Sequence, residues 1–169
     1  MPLTKSIKIT QTIPSPGTEA CGLAWDGRAF WYYDLADNTL FYVGVNGKVI
    51  KKFNIPNGCC DTEYDGQHVW QAAPEILKIF KINPANGKII AEITTSDKIS
   101  GLCYDGKNWY RGSWIRKEVI RFDPVTGKDI EAIKTNATTS GIAYDGKYLW
   151  HGGEIDKHNY LYKVDHKKG

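Results

Sequence analysis

The sequence predicts an all-β fold, and three observations carry that reading. One string recurs four times, as CGLAWDG over 21–27, CDTEYDG over 60–66, SGLCYDG over 100–106 and SGIAYDG over 140–146. Its aspartates, Asp26, Asp65, Asp105 and Asp145, stand 39, 40 and 40 residues apart. Every period holds four short runs rich in β-branched and aromatic residues, bounded by Gly, Asn, Asp or Pro, and none shows a sustained helical period. A repeat near 40 residues with four antiparallel strands is the signature of a β-propeller blade. The expectation is one domain over 1–169, a four-bladed β-propeller with repeats at about 21–59, 60–99, 100–139 and 140–169.

Each element follows from local chemistry. In the first period GLAWD is the innermost strand, AFWYY the second, TLFYVGV the third and KVIKKFNI the fourth. Asp-Gly between the first and second strands predicts a two-residue hairpin turn, because both residues tolerate positive φ. Asn46-Gly47, Asn86-Gly87 and Thr126-Gly127 join third to fourth strands, with Pro84 and Pro124 pre-setting two of those turns. The fourth repeat ends at Gly169, at the position of the turn glycines Gly87 and Gly127, and so lacks a fourth strand. The segment SIKITQTIPS aligns with KIIAEITTSD and KDIEAIKTNA, which are fourth strands. An N-terminal strand at 5–14 is therefore expected to complete the last blade and seal the ring. The rival arrangement is two chains exchanging these strands into an eight-bladed ring; a monomer is the simpler expectation.

Composition narrows the function classes. The 22 Lys and Arg against 19 Asp and Glu give a net charge of +3, with the lysines spread through every repeat, so no nucleic-acid surface is expected. No apolar run reaches the length of a membrane helix. The start, MPLTKSIKITQTIPSPG, has no apolar core segment, so a cytoplasmic location with reduced cysteines is expected. No phosphate-binding glycine loop, G-x-S-x-G or H-E-x-x-H occurs.

GLAWDG, the aromatic pair that follows it and the turn DPVTGK at 123–128 resemble the blade repeat of glutamine cyclotransferase-like and streptogramin-lyase-like propellers, relatives of the wider YVTN and WD40-like group. The resemblance spans nearly the whole chain at blade level. It implies the fold, and it suggests a lyase or a cyclotransferase-like acyltransferase as the class of any activity. No segment matches the catalytic segments of the cyclotransferases, so no catalytic residue carries over.

Shared positions are expected to build the scaffold: Leu23, Leu102 and Ile142, the aromatics Trp25, Tyr64, Tyr104 and Tyr144, and Trp31, Trp70, Tyr110 and Trp150 should pack between blades. Function is sought where the repeats differ. The residue after the second-strand aromatic pair is Tyr32, Gln71, Arg111 or His151, and four-fold symmetry would let these converge on one ligand. Among the first strands Glu63 replaces Ala24, Cys103 and Ala143. Glu63 or His151 could transfer a proton beside Arg111. Trp114, at a loop tip next to Arg116, could stack on a planar ligand. The leading expectation is therefore a small-molecule site at the axial end of the ring, suited to an anionic or amide-bearing ligand. An enzyme using the same residues and a protein-interaction platform are the alternatives. No motif requires a cofactor. His151, Glu154, Asp156 and His158 could hold a divalent metal, though their spacing is not a closed zinc pattern. The equivalent Cys21 and Cys60 could approach each other in a narrow ring, and Cys103 lies on an inner strand.

Overall fold

The computed structural model describes residues 9–165. Blade 1 is β1 (Ala20–Trp25), β2 (Ala29–Asp34), β3 (Thr39–Gly44) and β4 (Val49–Asn54). Blade 2 is β5 (Thr62–Tyr64), β6 (Val69–Ala73), β7 (Lys78–Ile82) and β8 (Ile89–Thr94). Blade 3 is β9 (Ile99–Tyr104), β10 (Trp109–Ser113), β11 (Glu118–Phe122) and β12 (Asp129–Lys134). Blade 4 is β13 (Ile142–Tyr144), β14 (Leu149–Ile155) and β15 (His158–Val164). Strands pair antiparallel in chain order within each sheet, and the inner strands abut in succession, β1 on β5, β5 on β9 and β9 on β13. This is a four-bladed β-propeller. A single 3-10 turn, Pro74–Ile76, interrupts the strands, and no α-helix occurs among the described residues.

The Asp-Gly connections differ from the expected two-residue turns. Trp25 pairs with Phe30, Tyr64 with Val69, Tyr104 with Trp109 and Tyr144 with Leu149, so each connection holds four residues. Only the glycine adopts positive φ, near 91° in all four. The aspartate works through its side chain. One oxygen of Asp65 accepts from the backbone N–H of Gln67 (2.8 Å) and His68 (2.6 Å), and Asp26, Asp105 and Asp145 repeat the pattern. The second oxygen takes the indole N–H of Trp70 or Trp150, each at 2.7 Å, and in blade 3 the amide of Asn108 at 3.1 Å. Burial opposes ionisation at Asp26, Asp65 and Asp105, but these donors outweigh it and hold the carboxyls below their ordinary range. At Asp145 the Trp150 indole leads the same effect.

Each junction buries one face of a blade on the opposite face of the next. Trp31, Tyr33 and Leu40 of blade 1 meet Val69, Phe80 and Ile82 of blade 2. Trp70, Ile79 and Ile93 meet Leu102, Trp109 and Phe122, with the rings of Trp70 and Trp109 4.3 Å apart. Cys103, Tyr110 and Val119 meet Ile142 and Leu149. Burial contributes about 1.5–3 kcal/mol for each large apolar side chain, so these three layers hold the blades together. Gly22, with φ +88°, lets β1 approach the next blade: a Cβ there would lie 2.6 Å from the Thr62 hydroxyl.

Not every shared residue is sandwiched as expected. Leu23 and Trp25 are 61% and 48% exposed, because they stand on the face of blade 1 that has no blade before it. Of the expected N-terminal strand at 5–14, residues 5–8 lie outside the described residues. Residues 9–14 carry no strand, and Gln11 donates to the carbonyl of Val45 in blade 1 (2.6 Å). The described sheet of blade 4 has three strands.

Candidate functional site

Tyr32, Gln71, Arg111 and His151 occupy equivalent register positions, opposite Leu23, Thr62, Leu102 and Ile142. All four are buried, and they make separate sets of partners. The Tyr32 hydroxyl shares a hydrogen bond with Ser15 (2.7 Å) and donates to Asp34 (3.1 Å). The Gln71 amide donates to the carbonyls of Asp61 (2.9 Å) and Cys59 (3.1 Å), while its oxygen accepts from Thr62 (2.6 Å). Arg111, fully buried, pairs with Asp97 and with Asp129 (2.8 Å) and donates to Ser96 (2.7 Å). His151 stacks on Tyr162, and its Nδ1 lies 3.0 Å from the Gly152 carbonyl. These polar groups serve the blades' own backbone and loops. Arg111 spends its charge on two carboxylates and has no surface left for an anionic ligand.

Glu63 is half-buried on β5, and Arg111 is not its partner. Its Oε1 accepts from the Tyr64 N–H at 2.8 Å. Burial raises its pKa, against the lowering effect of the Tyr64 and Tyr104 N–H groups. Among the described residues, no group of three or more His, Cys, Asp or Glu gathers in a metal-holding arrangement. In the β14–β15 hairpin, His158 turns its Nδ1 to the Asp156 carbonyl at 2.8 Å.

Of the residues singled out from the sequence, Tyr32 lines an apolar cavity on the blade 1 face beside Ile13 and Ser15, and Trp114 and Cys60 line a second cleft. The cleft lies between blades 2, 3 and 4, where the loops entering the inner strands meet those joining second to third strands. Its volume is about 510 Å³, and Cys60, Asp61, Lys98, Ser100, Trp114 and Ile115 are among its walls. Trp114 is half exposed, and Ile115 more so. Arg116 is drawn back from the tip by Glu118 (2.7 Å) and Asp129 (2.8 Å). Lys98 is held by Glu75 at 2.7 Å across the rim. The Ser100 hydroxyl is buried with no hydrogen-bond partner. Asp61 is the chemically distinctive group: burial pushes its carboxyl up to about 7, although the N–H groups of Leu102 and Thr62, each 2.9 Å away, favour the charged form.

Asp61 was legible in the sequence and was missed. In the repeat alignment it stands where the other blades have Gly22, Gly101 and Gly141. A carboxylate in place of glycine at an inner-strand entry is as strong an irregularity as Glu63 in place of alanine. Beside it the thiols cluster: Cys59 Sγ lies 3.8 Å from Cys21 Sγ and 3.5 Å from Cys60 Sγ, and the Cys60 N–H donates to Cys21 Sγ. The sequence leads to an approach of Cys21 to Cys60; in the structure Cys21 meets Cys60 through its backbone N–H, and the neighbouring thiol is that of Cys59.

No family model and no curated protein sequence matches the chain. Solved structures do. Glutaminyl cyclase of Myxococcus xanthus superposes with a TM-score of 0.65 at 17% identity, over 86% of this chain and 74% of that one. The computationally designed Ika4 protein matches with a TM-score of 0.62 at 11% identity, over 90% of this chain and 96% of that one. Hydrazine synthase of Kuenenia stuttgartiensis matches with a TM-score of 0.65 at 15% identity; 95% of this chain covers 49% of that chain, about half its length. At these identities the likeness is one of architecture. In fold, the chain is a β-propeller, and that architecture is what it shares with all three structures.

Proposed function

We propose that this protein is a small-molecule-binding β-propeller whose ligand occupies the cleft between blades 2, 3 and 4. The observation that carries the reading is the pairing, in one cleft, of an exposed Trp114 with a carboxyl, Asp61, that titrates near neutrality. The indole offers a flat apolar platform. Asp61 can donate a hydrogen bond when protonated and accept one when charged. That set suits an amide-bearing ligand. It does not suit an anion, because the buried Arg111 is already paired and Lys98 is held by Glu75.

The test is calorimetric titration of a short peptide with an N-terminal glutaminyl residue into the protein. Saturable binding that weakens roughly 10-fold or more in both Trp114→Ala and Asp61→Asn is expected, from the loss of a stacking surface and of a hydrogen bond. Absence of binding, or binding indifferent to both substitutions, overturns the assignment and leaves the platform reading ahead.

The near-neutral carboxyl also favours a second, catalytic reading of the same cleft. In a cyclotransferase-like reaction the α-amine of the glutaminyl residue attacks its own side-chain carbonyl carbon, a new C–N bond forms, and the side-chain nitrogen departs as ammonia. Asp61 in its charged form would take the amine proton and return it to the leaving nitrogen. Release of ammonia with a pH inflection near 7, lost in Asp61→Asn, is the expected result. In this reading Asp61 takes the proton-transfer role the sequence assigned to Glu63 or His151.

A further inference from the structure

The two end blades each carry an apolar face that every internal junction covers. Leu161 pairs with Gly152 as Leu40 pairs with Tyr33, Ile79 with Ala72 and Val119 with Gly112. Those three counterparts are each 0% exposed, whereas Leu161 is 80% exposed. At the other end Leu23 is 61% exposed, against 2%, 1% and 7% for Thr62, Leu102 and Ile142 at the same position. Inner strands β13 and β1 make no contact comparable with those at the three junctions. The segment 13–16 lies over part of the blade 1 face near Tyr32 and leaves Leu23 and Trp25 uncovered.

From these faces we infer that the protein assembles head to tail with a second copy of itself, blade 4 of each chain packing on blade 1 of the other, into one ring of eight blades. The occupant follows from the repeat itself. The face that blade 4 exposes is the kind that blades 1, 2 and 3 bury, and the face that blade 1 exposes is the kind that blades 2, 3 and 4 bury. Every copy of the chain carries both halves of a junction it already makes three times. An interface between unlike faces either closes into a ring or propagates as a filament. Propellers close with about four to eight blades, so two chains of four complete the largest ordinary ring. The ring differs from a strand exchange, since each chain keeps its own sheets and only faces meet.

Native mass spectrometry and light scattering on the full chain test this at micromolar concentration. The expected species has twice the 19.0 kDa chain mass. Leu161→Glu and Leu23→Arg each place a charge on one face and should each weaken dimerisation roughly 100-fold, because the charge would be buried unpaired. Both positions are exposed in the single chain, so folding, read by circular dichroism, should not change. An equimolar mixture of the two variants retains one intact junction, blade 4 of the Leu23→Arg chain on blade 1 of the Leu161→Glu chain. It should therefore form a heterodimer that neither variant forms alone. A wild-type monomer, an open polymer, or a dimer that survives both substitutions overturns the proposal. None of these outcomes bears on the peptide titration, which reads a different cleft.

Discussion

Arg111 on β10 reaches Asp129, the first residue of β12, in an ion pair of 2.8 Å, and pairs at the same time with Asp97 in the β8–β9 connection. One buried guanidinium therefore ties the outer strand of blade 3 to the chain arriving from blade 2. Arg111→Leu should cost about 3 kcal/mol, because it strands carboxylates that still have limited access to water. Arg116 continues to neutralise Asp129, which keeps the loss at the lower end. Burial opposes ionisation of Asp129, but its arginine partners win and hold its pKa below the ordinary value. Its stabilising contribution is present above the unfolded pKa and disappears as pH falls through the lower folded one. Chemical denaturation of wild type and variant at pH 7 and pH 3 should therefore show a gap that narrows in acid.

The connection aspartates should behave alike. Asp65→Ala removes the acceptor for the N–H groups of Gln67, His68 and Trp70 and should cost about 2 kcal/mol. Asp65→Asn should cost less, since the amide oxygen keeps part of the acceptor role. Because the folded carboxyl lies below its unfolded value, stability is lost on acidification and the variant's acid limb should be shallower by about one proton.

Asp61 carries the opposite sign. Its folded carboxyl is raised from 3.8 to about 7, so the unfolded chain releases this proton first as pH rises. Stability falls between those two values and stays lower above them. Asp61→Asn should raise stability by about 1–2 kcal/mol at pH 8, allowing for residual solvent contact, and by nothing near pH 3. The difference between the unfolding midpoints of the two proteins across that range is the measurement.

Cys21 and Cys59 stand close enough to be joined by a small side-chain rotation, whereas adjacent Cys59 and Cys60 are poorly placed to bridge. Burial, with Cys59 nearby, pushes the Cys21 thiol up to about 11, so it is protonated at neutral pH and exchanges slowly. A diazene dicarboxamide oxidant should take two electrons and two protons from the pair, becoming the hydrazine, and leave a Cys21–Cys59 disulfide. Peptide mapping should find that bond suppressed in Cys21→Ser and retained in Cys60→Ser.

The blade count, the strand order and the aromatic inter-blade layers were legible in the sequence because each rests on local patterning repeated every 39–40 residues. Asp-Gly marked every first connection for the same reason, although whether the aspartate would act through its backbone or its carboxylate depended on the N–H groups two and three residues on. Tertiary structure decided what the irregular positions do. Tyr32, Gln71, Arg111 and His151 share a register, but Gln71 and Arg111 take partners from the loops 59–61 and 96–97, which no strand pattern places, while His151 stacks on Tyr162 within its own blade. Asp61 acquired its character only when β9 approached and Leu102 donated to it. The exposed Leu161 and buried Val119 are equivalent in sequence, and only the packing separates them. A repeating pattern specifies a face that wants burial; the presence of a neighbour to bury it is a property of the assembled blades.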